Sequence, residues 1–336
     1  MTILDVAERA GVHAATVSRA LNVPEKVAPE TRARVEQAVR ELAFVPNRAA
    51  RGLITGRTGN IAVIVPDITN PHFASLVRAV ERTARDAELQ VLLVDTGEHP
   101  DEEVRAVRTM AHDVEGFIVV SPRRVHRELG SLGSRPVVFV NRPVRGHASV
   151  LLRTAPALAD AVQHLESLGH RSLAYLGGPR GSWAAGERRN AVRRSGRAAG
   201  LHVVELVVAE PTFEATLDVV PRIVDCGASA VIAFNDQMAF GVISGLTGRG
   251  MSVPGDVSVV GFDDVPMATM VAPALTTIRL PAAEAGALAV AMLSEQPTCT
   301  ELRGELVLRH STGPVSHRRA SVGGVRERPS SGAGPW

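Results

Sequence analysis

Two sets of residues in this chain have the types and spacing to do chemistry. The first lies near the amino terminus, where Arg19 shares a short helical stretch with Thr16, Ser18 and Asn22, and Thr2 begins another. An arginine on such a helix can hold guanine O6 and N7 together, which discriminates bases by about 1–3 kcal/mol. The neighbouring hydroxyls and amide suit phosphate oxygens, as does the helix start at Thr2. The second set follows short apolar runs farther along. Asp67, Asn70, His72 and Phe73 follow Ile61–Val65; Asn141 and Arg142 follow Val137–Val140; Asn235 and Asp236 follow Ala230–Phe234; Asp263 and Asp264 follow Val257–Gly261. Apart from Phe73, these side chains can hydrogen-bond a polyhydroxylated or heteroaromatic small molecule, and the Phe73 ring can stack beneath it. Asn70 and Asp236 can equally serve as helix caps.

No catalytic or metal-binding pattern accompanies them. GGPRG lacks the GK[ST] ending of a phosphate loop, HExxH and GxSxG are missing, and the 11 histidines show no ligand spacing. Cys226 and Cys299 stand far apart, so neither a disulfide scaffold nor a structural zinc site is supported. The expectation is a protein that is not an enzyme and uses no cofactor or metal.

The elements that must position these residues can be read from periodicity. Thr2 and Asp5 have the spacing of a capping box, Ile3, Val6, Ala7 and Ala10 form an apolar stripe, and Gly11 stops the helix. A second helix runs from about Ala14 to Leu21, with Val17, Ala20 and Leu21 inward. A third starts near Pro29 and buries Val35, Ala38, Val39 and Leu42. Helix, three-residue turn with a glycine, helix is the spacing of a helix-turn-helix, whose second helix enters the DNA major groove. From Ile61 onward, Val/Ile/Leu runs alternate with amphipathic stretches such as Phe73–Ala87, Ala155–Leu168 and Gln237–Arg249. The runs include Val91–Val94, Phe117–Val120, Leu173–Leu176 and Val203–Val208. This alternation predicts an α/β body of doubly wound parallel sheets, whose ligands gather beyond the carboxyl ends of the strands.

Charge separates head from body. Of the 336 residues, 1–57 carry net +3, 58–316 net −4 and 317–336 net +3, and Lys26 is the single lysine. A basic head on a mildly acidic body points the head at a polyanion. The small, polar, basic segment 317–336 reads as a disordered tail. No stretch of about 18 uncharged apolar residues exists and the amino terminus lacks a secretory pattern, so no membrane partner and a cytoplasmic location are expected.

The runs DVAERAGVHAATVSRALN and VAPETRARVEQAVRELAFVPNRAARGLITGRTGNIAVIVPDITNPHF, followed by HLESLGHRSLAYLGGP, AFNDQMAFGV, VPGDVSVVGFDD and PALTTIR, closely resemble the lactose-repressor (LacI/GalR) family of transcription regulators. The resemblance covers about residues 2–315. It implies a helix-turn-helix domain over 1–45, a hinge helix or linker over 46–57, and a periplasmic-binding-protein-like body over 58–316. Lobe one is expected at about 58–143 and 278–300, lobe two at about 146–275 and 303–316. His13, Ala14 and Ala15 would join Thr2, Thr16, Ser18, Arg19 and Asn22 at DNA. Asn47, Arg48 and Ala50 would line the minor groove, and Leu53 would wedge into a base step. Arg188 stands at the family's effector-binding arginine, beside Asp67, Asn70, His72, Phe73, Asn141, Asn235 and Asp263.

The chain departs from the family at several places. His13 and Ala28 replace serine caps. Arg153-Thr154 stands in place of an Asp-Asn pair, and Gly186 in place of an arginine. Ala191 and Val192 follow where a glycine and an aromatic are usual, and Trp183 is a candidate aromatic wall. The function implied is a homodimeric, sequence-specific DNA-binding repressor of a pseudopalindromic operator, controlled by a small effector such as a sugar. An activator of the same fold, or a small-molecule binder with a vestigial head, are the alternatives.

Overall fold

The computed structural model describes residues 1–44, 57–123, 135–208, 210–294 and 298–315. The expected hinge, with Asn47, Arg48, Ala50 and Leu53, and the expected tail therefore lie outside the described residues. The chain divides into two compact units, Met1–Gly59 and Asn60–Trp336.

The described residues of the first unit form three α-helices. In α1 (Ile3–Ala10) the capping box forms: the Asp5 amide donates to Thr2 Oγ1 at 3.4 Å, and the Thr2 amide donates to the Asp5 carboxylate at 2.7 Å. Gly11, at φ +63°, ends the helix in the left-handed conformation that glycine adopts without steric penalty. Helix α2 (Ala14–Asn22) runs one residue past expectation, and the Asn22 side-chain Nδ2 donates back to the Ser18 carbonyl at 2.8 Å. A single 3₁₀ turn, Pro24–Lys26, leads to α3 (Pro29–Glu41). Val6, Ala7, Ala10, Val17, Ala20, Val35 and Ala38 make the buried core. Arg9 pairs with Glu41, tying α1 to α3.

The second unit contains two lobes. Lobe one is a six-stranded parallel sheet of β1 (Asn60–Val65), β2 (Gln90–Asp95), β3 (Phe117–Val120), β4 (Val137–Val140), β5 (Ala148–Arg153) and β11 (Cys299–Arg303), in the order β11-β5-β4-β3-β1-β2. Lobe two is a four-stranded parallel sheet of β6 (Ser172–Gly177), β7 (His202–Val207), β8 (Ala230–Ala233) and β9 (Ser258–Val260), in the order β7-β6-β8-β9. Strands β10 (Thr277–Arg279) and β12 (Glu305–Val307) form a separate antiparallel pair. Side chains alternate across the sheets: in β1, Ile61, Val63 and Val65 join one core cluster and Ala62 and Ile64 another.

One expected boundary is corrected. The sequence places residues from about 146 onward in lobe two, yet β5 pairs in parallel with β4 and with β11, inside the lobe-one sheet. The chain changes lobe after Arg153, not before Ala148, and the second sheet begins at Ser172.

Helices cover both faces. Helix α4 (Pro71–Asp86) packs on α11 (Ala282–Ala291), and Gly286 sits where an added Cβ would lie 2.5 Å from the Leu76 carbonyl oxygen. Helix α5 (Pro100–Met110) covers the opposite face of lobe one. In lobe two, α6 (Ala155–Ser167) packs against α7 (Trp183–Ala198). Two short helices, α8 (Phe213–Leu217) and α9 (Val220–Asp225), lie against α10 (Asp236–Thr247). Among the described residues no helix is long and apolar enough to cross a membrane.

Candidate DNA-reading helix and inter-lobe effector site

On α2 the apolar side of the helix buries Val17 and Ala20, which turns Ala15, Arg19 and Asn22 outward. His13 and Thr2, at the caps of α2 and α1, are exposed as well. Thr16 and Ser18 are half-buried, and Asn22 also donates to Ser18 Oγ at 3.3 Å. Ala14, the first residue of α2, is half-buried as well and packs against the head core. Neither His13 nor Ala28 makes a side-chain capping bond.

In the body, the chemistry collects where the carboxyl ends of the two sheets face each other. Helix α7 carries Arg188 into the interior, where its guanidinium carbon stands 3.5 Å from the Phe262 ring centre and 4.5 Å from that of Phe234. Such stacking suits a planar, weakly hydrated cation. Nη1 donates to the Phe234 carbonyl, Nη2 lies 3.7 Å from Asp263 Oδ1, and the buried Nε has no hydrogen-bond partner. From lobe one, the α4 start reaches the same carboxylate. His72 Nδ1 lies 3.7 Å from Asp263 Oδ1, and the neighbouring Asn70 side chain lowers the Asp263 pKa, partly offsetting its burial. Asn70 Oδ1 caps α4 by accepting the His72 amide at 3.0 Å, the helix-capping role open to it from the sequence. A second bond crosses between lobes, from Gln237 Nε2 to the Thr69 carbonyl at 3.4 Å.

Burial sets the charges here. It pushes Asp263 up to about 7 despite the neighbouring Arg188, and holds His72 down to about 3, with Arg188 adding to the effect. His72 is therefore neutral, and its contact with Asp263 is polar, not ionic. Burial also raises Asp236 to about 8, with help from the charge of Asp263. The backbone is strained at the same rim: Ser121, Asn141, Asp263 and Asp264 have φ of +47°, +61°, +112° and +56°. Non-glycine residues in this region cluster at ligand clamps and active sites.

Other expected residues are used differently. Asn235 Oδ1 caps α10 through the Met238 amide, and its Nδ2 donates to the Pro211 carbonyl. Asp236 accepts from the Val265 amide at 2.9 Å and bonds Thr277 Oγ1 at 2.6 Å, holding the segment between β9 and β10. Asp264 binds Arg279 and Arg309. Asn141 donates to Ser121 Oγ, and Arg142 to the carbonyls of Pro122 and Arg123. Asp67, half-buried, closes a local turn onto Thr69. Phe73 is buried in the core, edge-on to His72, not laid open as a platform. Arg153 is exposed and paired with Glu301; Trp183 is half-buried at the start of α7. The aromatic pair Phe234 and Phe262 was missed because each closes an apolar run and reads as core. Among the described residues no group of three or more His, Cys, Asp or Glu could hold a metal.

Beyond the ends of β3, β6 and β7 lies a cavity of about 860 Å³, with Glu98, Pro100 and Arg123 on lobe one and Arg180, Val207 and Arg222 on lobe two. Arg123 is fixed by an ion pair to Glu98, and its amide donates to Glu103 at 2.8 Å.

A three-helix head and two parallel-sheet lobes with polar groups at their facing ends define a DNA-binding regulator with an effector-binding body. Residues 2–47 match bacterial regulatory proteins of the lacI family, and residues 162–319 match the periplasmic binding protein-like domain. The chain belongs to the LacI family. It is 32% identical over 305 residues to catabolite control protein A of Priestia megaterium, covering 88% of this chain and 92% of that protein. The lac repressor dimer bound to operator and the anti-inducer ONPF superposes with a TM-score of 0.85 at 26% identity, over 93% of this chain and 99% of that one. A LacI-family regulator from Enterococcus faecium with bound ribose gives a TM-score of 0.69 at 25% identity, over 76% and 100%. These relatives are transcriptional regulators, and so is this protein.

Proposed function

We propose that the protein is a homodimeric repressor whose two heads read half-sites of a pseudopalindromic operator through Arg19 of α2. A small polar molecule in the inter-lobe cleft controls that grip. The lac repressor relative is a dimer on its operator and the Enterococcus relative holds ribose, which supports a sugar or sugar-like effector here. Two-fold protein symmetry then matches the two-fold symmetry of the DNA site.

The observation that carries this reading is the buried Arg188–Asp263 pair of lobe two, met by Asn70 and His72 of lobe one. A ligand held there touches both lobes, and only a ligand with different affinities for two states shifts their balance.

The test is a fluorescence-anisotropy titration against the promoter upstream of the protein's own gene, with and without candidate effectors. Salt-sensitive binding at nanomolar levels, selective over random duplex, is expected. Asp263→Ala is expected to bind that fragment normally and to lose the effector response. No selectivity over random duplex would refute the operator reading; an intact response in the variant would remove Asp263 from the site.

A further inference from the structure

The carboxylates and arginines around the cleft do not balance. Of the acids lining the 860 Å³ cavity, Glu98 is taken up by Arg123 and Glu205 by Arg193, 3.2 Å away. Arg180 and Arg222, exposed on the lobe-two side of the same cavity, have no carboxylate partner among the described residues. A second cavity of about 350 Å³ shares Arg180 and Glu205 with the first and continues it inward under the start of α7. It adds Arg189, again without a carboxylate partner, and Tyr175, whose buried hydroxyl has no hydrogen-bond partner. The first turn of the sixteen-residue α7 carries no acidic residue; its cap is the uncharged Ser182, whose hydroxyl accepts the Ala185 amide at 3.2 Å, so no side-chain charge offsets the positive end of the dipole. Gly186 on that helix leaves the space beside it open, with no atom within 4 Å of where a Cβ would lie. Guanidinium groups left without carboxylates around a cavity are suited to bidentate binding of an oxyanion.

We propose that the effector is an anion whose phosphate or carboxylate is held by Arg180, Arg189 and Arg222, while its polar body extends toward Arg188 and Asp263. This rests on the effector-site reading above and names the chemical class of ligand that the site takes. A neutral sugar leaves three cations facing solvent; a phosphate ester or a sugar acid neutralises them.

The experiment is a thermal-shift screen of the full chain at constant ionic strength with matched probes: glucose, glucose 6-phosphate and gluconate, and ribose with ribose 5-phosphate. Inorganic phosphate and pyrophosphate are run alongside. A ligand selective for the folded state raises the melting point. The expected result is a shift with an anionic member of a set that its neutral counterpart does not give. Isothermal titration with the best probe should show at least a tenfold weaker Kd in Arg180→Ala/Arg222→Ala and none in the exposed control Arg194→Ala. The phosphate and gluconate arms decide between phosphate and carboxylate. Equal shifts from neutral and anionic members, unchanged anion affinity in the double variant, or no shift from any anion would overturn the proposal. A neutral sugar that binds wild type but not Asp263→Ala would overturn it while leaving the effector site standing. Loss of operator selectivity would strike the underlying reading instead.

Discussion

Replacing Asp263 by Asn removes a buried charge while keeping the shape, and the consequence can be worked out as a pH profile. Asp263 titrates near 7 when folded, because burial outweighs the attraction of Arg188, against 3.8 for the ordinary side chain. A carboxyl whose folded pKa is raised makes the folded state bind the extra proton. Its contribution to stability is therefore full below pH 3.8, falls as pH rises through 7, and is flat above. Between pH 5 and 8 that amounts to roughly 2–3 kcal/mol of lost stability at 1.36 kcal/mol per unit. Asp236, raised to about 8, acts in the same direction, and the two carboxyls titrate as a coupled pair. His72, held near 3, acts oppositely: the unfolded chain takes up its proton below 6.5, so stability falls on the acid side. Asp236 and His72 remain in the variant, but the charge of Asp263 helps raise Asp236, so the difference between the two profiles reports Asp263 together with its coupling to Asp236. Its left-handed φ of +112° is no obstacle, since Asn tolerates positive φ about as well as Asp. Urea unfolding at pH 5, 6, 7 and 8 measures the effect. Asp263→Asn should gain stability relative to wild type as pH rises, by roughly 2–3 kcal/mol over the range. Parallel profiles would show that the carboxylate is not desolvated and that the burial argument for the site is wrong.

Gly286→Ala should destabilise the body by about 1–3 kcal/mol, because the new methyl would lie 2.5 Å from the Leu76 carbonyl oxygen and must push α4 from α11. An unchanged urea midpoint would mean that the two helices are not in close contact there. Arg19→Ala should relax base preference at one position per half-site and cost about 1–3 kcal/mol for the cognate base. Binding-site selection with the variant checks this, and an unaltered preference would remove Arg19 from base reading.

The legibility of the fold followed burial. Strands β3 and β4, buried at every residue, coincide with the apolar runs expected from the sequence, as do the capping box and the glycine stop of α1. Strand β11 was not assigned: Cys299–Arg303 alternates exposed and half-buried residues at the sheet edge, where polar side chains carry no continuous apolar signal. Strand β5 is hidden as well, because its Ala, Ser and Arg dilute the apolar run, and the lobe boundary hides with it. Within the site, Asp263 and His72 stood out as polar groups after strands, and Arg188 through the family resemblance. Their partners did not, since the two rings around Arg188 and the Ser121 hydroxyl against Asn141 are brought in from distant segments. Residue type showed that Asp236 and Asn235 were special but could not show that their oxygens were already occupied by the fold.

That occupancy bears on how a ligand is felt. The Asp263 amide donates to the Ile278 carbonyl at 2.8 Å, Asp264 grips Arg279 and Arg309, and Asp236 holds Val265 and Thr277. Residues 263–265 are thus bonded along β10, which pairs with β12 immediately after β11 leaves lobe one. The other face of Asp263 is met by Asn70 of lobe one, and Gln237 reaches Thr69 beside it. In the proposed site, a ligand that inserts between Asn70 and Asp263 would part them, whereas one that bonds both would draw the lobes together. On the proposed function, a ligand acts only through its different affinities for two arrangements of the lobes, so this contact is where the direction of the response would be set. Occupation of lobe two alone, however tight, leaves the balance where it was.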